Sequence, residues 1–187
     1  MDVSTTDEAI GAALEVIAGA QKICGTTKVV ALDGPSGAGK TDFAAVLAEQ
    51  LPSAQLLHMD DLYQGWDGLA QAVTDIHDQV LAPLSRGGQG AYRRWDWDHD
   101  RHAGWHTLPA TELLIVEGVG AGAKPGWQLE SALIWLEAPA DERFRRAIER
   151  DGEAYLPHWR HWAALEQALF ALDGTRARAD LIINTST

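Results

Sequence analysis

The sequence predicts an α/β domain: a parallel five-stranded sheet with helices on both faces. Three observations carry this reading. Short apolar runs recur along the 187 residues, stretches of helical periodicity separate most of them, and the first run leads through a glycine-rich turn directly into a helix. Strands that alternate with helices need crossover connections, which cover both faces of a parallel sheet. In such a sheet the ligand belongs beyond the carboxyl ends of the strands.

Taken in order, Thr5 to Ala20 predicts an amphipathic helix, with Ile10, Leu14 and Ile17 at helical spacing behind a Ser/Thr/Asp start. Lys28 to Asp33 predicts a buried strand, Asp42 to Glu49 a helix, and Gln55 to Met59 a second strand. Leu69 to Leu84 reads as a helix with Val73, Ile76, Val80 and Leu84 on one side. A polar, aromatic insert over about 85–107 carries no assigned element. Leu113 to Val116 and Ala132 to Leu136 are short, β-branched and apolar, hence buried strands. Ala140 to Asp151 is an arginine-rich helix, Pro157 to Leu172 a further helix, and Leu181 to Ile183 the last strand. No repeat, low-complexity run or linker interrupts this order, so residues 1–187 are expected to form a single domain.

Hydrophobic content of 46% with 22% charge suits a soluble globular chain. A net charge of −12 sets up a broad acidic surface that repels nucleic acid, so a polyanionic ligand needs a local basic pocket. The single Cys24 excludes an intrachain disulfide and fits a reducing compartment. No apolar run reaches membrane-spanning length, and Asp2, Asp7 and Glu8 lack a signal peptide's positive start. The expectation is a cytoplasmic protein without nucleic-acid or membrane partners, with monomer and homodimer both open.

The most specific local pattern is Gly34-Pro35-Ser36-Gly37-Ala38-Gly39-Lys40-Thr41. It fits Gly-x-x-x-x-Gly-Lys-Ser/Thr, the phosphate-binding loop of P-loop NTPases. The glycines let successive N–H groups turn inward on one anion. Lys40 adds a cation for the outer phosphates of ATP, Thr41 offers a hydroxyl to Mg²⁺, and the following helix directs its positive end at the same anion. The strand before and the helix after supply the context such a motif needs.

Strand two ends in His58-Met59-Asp60-Asp61-Leu62-Tyr63. A carboxylate at that strand end, beside the loop, can accept a substrate hydroxyl's proton or help hold Mg²⁺; both aspartates could instead cap the next turn. Arg143, Arg146 and Arg150 share one helix face at i, i+3 and i+7, which favours phosphate binding on an otherwise acidic chain. Each arginine could instead form a solvated ion pair, Glu142 with Arg146 for example. Glu117 ends an apolar strand, and Gly118, Gly120 and Gly122 behind it suggest backbone close to a ligand.

Together these motifs resemble the uridine kinase and related nucleoside-kinase-like family. Asp60-Asp61-Leu62-Tyr63 is similar to its Asp-x-Phe-Tyr, Val116-Glu117-Gly118 to its strand ending in Glu-Gly, Asp141 to Asp151 to its arginine-rich lid, and Ala179-Asp180-Leu181-Ile182-Ile183 to its closing strand. The resemblance implies an ATP- and Mg²⁺-dependent small-molecule kinase. It gives Asp60 the general-base role, makes Asp60, Thr41 and Glu117 the metal-facing groups, and has Tyr63 line the acceptor pocket. Arg143, Arg146 and Arg150 become cations of a lid over about 141–156.

The insert contains Tyr92-Arg93-Arg94-Trp95-Asp96-Trp97-Asp98-His99-Asp100-Arg101-His102. Arg94, Trp95, Asp96 and Trp97, with Asp61 and Trp66, are candidates to stack and hydrogen-bond a small-molecule acceptor. Alternatively Trp95 and Trp97 close a hydrophobic edge. His99, Asp100 and His102 match no strong metal signature. The expected reaction is phosphoryl transfer from ATP to a hydroxyl, the acceptor being a nucleoside such as uridine or cytidine, or else pantothenate, a sugar or a similar metabolite. A GTPase-type switch lacks its Asn-Lys-x-Asp run here, and a nucleotide-binding protein without catalysis is the remaining alternative.

Overall fold

A computed structural model describes residues 3–152 and 155–186. Helix α1 (Val3–Gly19) precedes β1 (Lys28–Asp33), α2 (Lys40–Gln50) and β2 (Ala54–His58). Single turns at Met59–Asp61 and Gly65–Asp67 lead into α3 (Leu69–Asp75), which runs through a π-helical stretch, Ile76–Leu81, into α4 (Ala82–Ser85). Pro83 lacks the N–H that would continue the α-helical ladder, and the helix widens just before it. After the strands β3 (Gly90–Asp96) and β4 (Arg101–Leu108) come β5 (Leu113–Glu117) and β6 (Ala132–Glu137). Helices α5 (Ala140–Asp151), α6 (Trp159–Asp173) and α7 (Thr175–Arg178) precede β7 (Leu181–Asn184). The side chains of residues 3–6 and 151, and residues 153 and 154 of the expected lid, lie outside the described residues.

Each predicted strand joins one five-stranded sheet of order β2-β5-β1-β6-β7, and every pairing is parallel. Period-two alternation divides the core. Val29, Ala31, Leu114 and Val116 pack toward α3 and α6, while Val30, Leu32, Leu113 and Ile115 pack toward α1 and α2. Burial on both faces explains why these strands are apolar throughout. No described helix is long and apolar enough to cross a membrane.

The insert is where structure adds strands. Gly90–Asp96 and Arg101–Leu108 pair as an antiparallel hairpin, irregular between Arg93 and Trp95. Tyr92, Leu108 and Gly90 face the core. A Cβ at Gly90 would sit 3.0 Å from Val80 Cγ1, so glycine permits the hairpin to approach the α3–α4 helix closely.

Beside this core Glu130 is 9% exposed, and one of its carboxyl oxygens is buried with no hydrogen-bond partner. Burial pushes its carboxyl well above the usual range, Asp33 adds to the rise, and Arg178 opposes it. A carboxyl raised on folding costs no stability below its unfolded pKa. The cost grows as pH climbs above that value and is complete beyond the folded one. Glu130→Gln should therefore melt at a higher temperature than wild type at pH 8, with the gain vanishing near pH 4, as read by thermal denaturation.

Candidate active site

The site begins at the carboxyl end of β1. Asp33 is fully buried and accepts the N–H groups of Gly34 (2.7 Å), Gly120 (2.9 Å) and Gly122 (3.0 Å). Burial raises its pKa, while these three N–H groups and Lys40 pull it back. Asp33 thus ties the glycine-rich loop to the turn after β5. Gly34 and Gly37 have φ of 141° and 78°, and a Cβ there would lie 2.0 Å from the Leu136 carbonyl oxygen and 2.3 Å from that of Arg143. Neighbouring backbone therefore excludes any side chain at either position. Gly39 (φ 81°) starts α2, and Lys40 Nζ donates to Gly34 O (2.7 Å) and Pro35 O (3.0 Å). The result is a closed turn with an ammonium inside. Burial lowers the Lys40 pKa, and Glu117, Glu166, Asp33 and Asp60 act against that.

Strand register builds the acidic side. β2 and β5 place His58 opposite Glu117. Glu117 is 2% exposed, and its Oε1 lies 2.5 Å from His58 Nδ1 and 3.3 Å from Thr41 Oγ1. The hydrogen bond to Glu117 is the main cause of a raised His58 pKa. The two aspartates that follow diverge. Asp61 faces the hairpin, with Arg94 Nε at 3.0 Å and the Tyr92 hydroxyl at 3.5 Å. Asp60 acts electrostatically on Lys40 of the loop. Its surface is open to solvent, but the surrounding protein mass displaces enough water to raise its pKa, and Glu117 raises it further; Arg150, Lys40 and His58 oppose. No cluster of three or more His, Cys, Asp or Glu able to hold a metal ion occurs among the described residues. The oxygen donors of Thr41, Glu117 and Asp60 nevertheless fit Mg²⁺, which keeps its waters and takes few protein ligands beside substrate phosphates.

The predicted arginine face is engaged by protein groups. Arg143 donates to Ala138 O (3.2 Å) and Ser36 O (3.0 Å) and lies 3.4 Å from Glu166. Arg146 binds Glu142 (2.5 Å), Thr185 O (2.7 Å) and Thr185 Oγ1 (3.1 Å). Arg143 and Arg146, both expected as phosphate cations, thus hold protein groups beside the loop. The Arg150 charge acts on Asp60. Sequence reasoning missed Glu166 and Thr185 altogether. Glu166, 3% exposed, accepts the Ser36 N–H at 2.9 Å, and Thr185 Oγ1 donates to Ala38 O at 2.9 Å.

The aromatic candidates mostly contact one another. Trp66 stacks on His158 (4.5 Å, 7°) and Tyr155 (5.0 Å, 19°) and tilts against Trp97 at 5.1 Å. Trp97 Nε1 donates to Asp60 O at 3.0 Å, so the hairpin tip touches the Met59–Asp61 turn. Trp95 meets His102 edge-on, and Asp96 accepts hydrogen bonds from His99. Two expectations need correction. Tyr63 is 2% exposed, donates to Val119 O at 2.8 Å and packs on Trp162; it backs the site and offers no surface to an acceptor. A Cβ on Gly118, Gly120 or Gly122 would strike Met59, Val73 or Leu133, so these glycines serve core packing, with no ligand needed to explain them.

A cavity of about 150 Å³ between α3 and the hairpin is lined by Gln64, Asp75, Gln79, Arg93, His102 and Trp105. A more open groove of about 410 Å³ between α3 and α6 shares no residue with the site.

The sequence matches no family model and no curated protein. Solved structures do resemble the fold. A possible uridine kinase from Bacillus stearothermophilus has a TM-score of 0.67 at 20% identity, covering 95% of this chain and 98% of that one. A protein described as a fructose transport system kinase from Silicibacter sp. TM1040 gives 0.58 at 20% identity, over 95% and 98%. D-glycerate 3-kinase from Cryptococcus neoformans gives 0.58 at 12% identity, over 96% and 95%. At these identities the likeness establishes architecture: the chain has the α/β P-loop kinase fold.

Proposed function

We propose that this protein is an ATP-dependent kinase that transfers the γ-phosphoryl group to a hydroxyl of a small molecule. One observation carries the reading. A closed phosphate loop, with Lys40 inside it, shares one electrostatic environment with Glu117 and Asp60 at the strand ends. Loop N–H groups and Lys40 hold the ATP phosphates. Thr41 and Glu117, with Asp60 nearby, would hold Mg²⁺, which when bound would supply neutralisation of the phosphate charge. Asp60 takes the proton as the acceptor oxygen forms its bond to the γ-phosphorus, and the bond from that phosphorus to the bridging oxygen of ADP breaks. The raised Asp60 pKa suits a base working near neutral pH. Residues 141–156 act as the lid. Arg146 and Arg150, on exchanging their present partners, steady the transferring group, while Arg143 braces the loop. We place the reaction in the cytoplasm, without nucleic-acid partners.

A nucleoside is the first acceptor reading. A hydroxyl-rich acceptor such as a sugar is the second, and particular contacts favour it. Trp66 and Trp97 are engaged by neighbouring rings and by Asp60, whereas the hairpin cavity presents amides, a carboxylate, a guanidinium and the 65% exposed Trp105. Such groups suit several hydroxyls better than one planar base. The test is ADP release from ATP–Mg²⁺ with separate nucleosides, hexoses, sugar acids and pantothenate. Release that depends on one acceptor supports the kinase; release indifferent to all of them, or preferring GTP, removes it.

A further inference from the structure

Neither the sequence motifs nor the proposed reaction uses His58, yet it makes one of the closest polar contacts in the site. It ends β2, and the parallel register with β5 sets it opposite Glu117 on the same side of the sheet. Its Nδ1 lies 2.5 Å from Oε1 of Glu117, the oxygen that also accepts from Thr41 at 3.3 Å. The Glu117 side chain is 3% exposed, whereas that of His58 is 40% exposed. A buried carboxylate has little water to orient it, so the imidazole N–H decides where its second oxygen points.

From this geometry we infer that His58 is a positioning residue that orients Glu117 and thereby sets the affinity of the nucleotide site for its divalent cation. The inference rests on the proposed Mg²⁺–ATP reading. Hydrogen-bonded partners of metal-binding carboxylates fix ligand geometry, and their loss typically costs about 10–100-fold in metal affinity or activity. His58 touches neither nucleotide nor acceptor in this account; it acts through Glu117.

Two substitutions test it. His58→Leu removes the donor, whereas His58→Asn keeps an N–H at about the position of Nδ1 and carries no charge. The readout is equilibrium binding of a non-hydrolysable ATP analogue by calorimetry, with Mg²⁺ and with EDTA. In wild type Mg²⁺ should tighten binding. In His58→Leu that gain should fall by about tenfold or more while EDTA affinity stays put, and His58→Asn should keep most of it. A merely structural role would move the EDTA affinity or the melting temperature, and not the Mg²⁺ gain alone. His58→Leu with the wild-type gain, or His58→Asn as impaired as His58→Leu, overturns the inference. Wild type that binds no analogue in either condition takes the kinase reading down with it.

Discussion

Lys40→Ala should lower ATP-dependent turnover by about a thousandfold, with the melting temperature close to wild type. Removing a single preorganised donor to developing charge costs about 10²–10³ in kcat, and Lys40 also contributes a full charge to the outer phosphates. The side chain is 7% exposed, but its partners are the Gly34 and Pro35 carbonyls of the loop itself. Its loss opens a polar pocket that water can enter, in contrast to a cavity in the apolar core. Steady-state kinetics with thermal denaturation on the same sample checks both halves. Near-normal turnover in a folded variant would remove Lys40 from the reaction.

Asp60→Asn should lower kcat by about 10²–10⁴, the usual contribution of a positioned general base, with little change in ATP affinity. Of the pair we assign the base to Asp60, since Asp61 is held by Arg94 and Tyr92. The pH profile supplies a second check. A base acts once it is deprotonated, and loss of solvent together with Glu117 raises the Asp60 pKa. The acidic limb of kcat/KM, which reports the free enzyme, should therefore lie above the ordinary aspartate range in wild type and disappear in Asp60→Asn. A loss expressed only as weaker ATP binding would assign Asp60 to the metal.

The parts of this protein legible in the sequence are those encoded locally. Gly34 to Thr41 are consecutive, so their residue types alone specify a phosphate loop. The inner sheet strands β1, β5 and β6 announce themselves because burial on both faces requires continuous apolar runs. What sequence conceals is placement across the sheet. Glu166 meets Ser36 across 130 residues, Thr185 meets Ala38 across 147, and His58 meets Glu117 across 59. These contacts follow from strand order, which periodicity does not encode. The hairpin was hidden for another reason: β4 is largely exposed, so it lacks the apolar alternation that marks a half-buried strand. Tyr63 shows a third limit, since a tyrosine beside strand-end aspartates reads the same whether it lines a pocket or backs one from the core.

The most direct test of the central claim is a crystal structure with Mg²⁺ and a non-hydrolysable ATP analogue. The account predicts the β- and γ-phosphates inside the Gly34–Thr41 turn, with Lys40 Nζ moved from the Gly34 and Pro35 carbonyls onto phosphate oxygen, Mg²⁺ near Thr41 and Glu117, and Asp60 facing the γ-phosphate. A nucleotide bound elsewhere, or one in the loop with Lys40 still on those carbonyls, would contradict it.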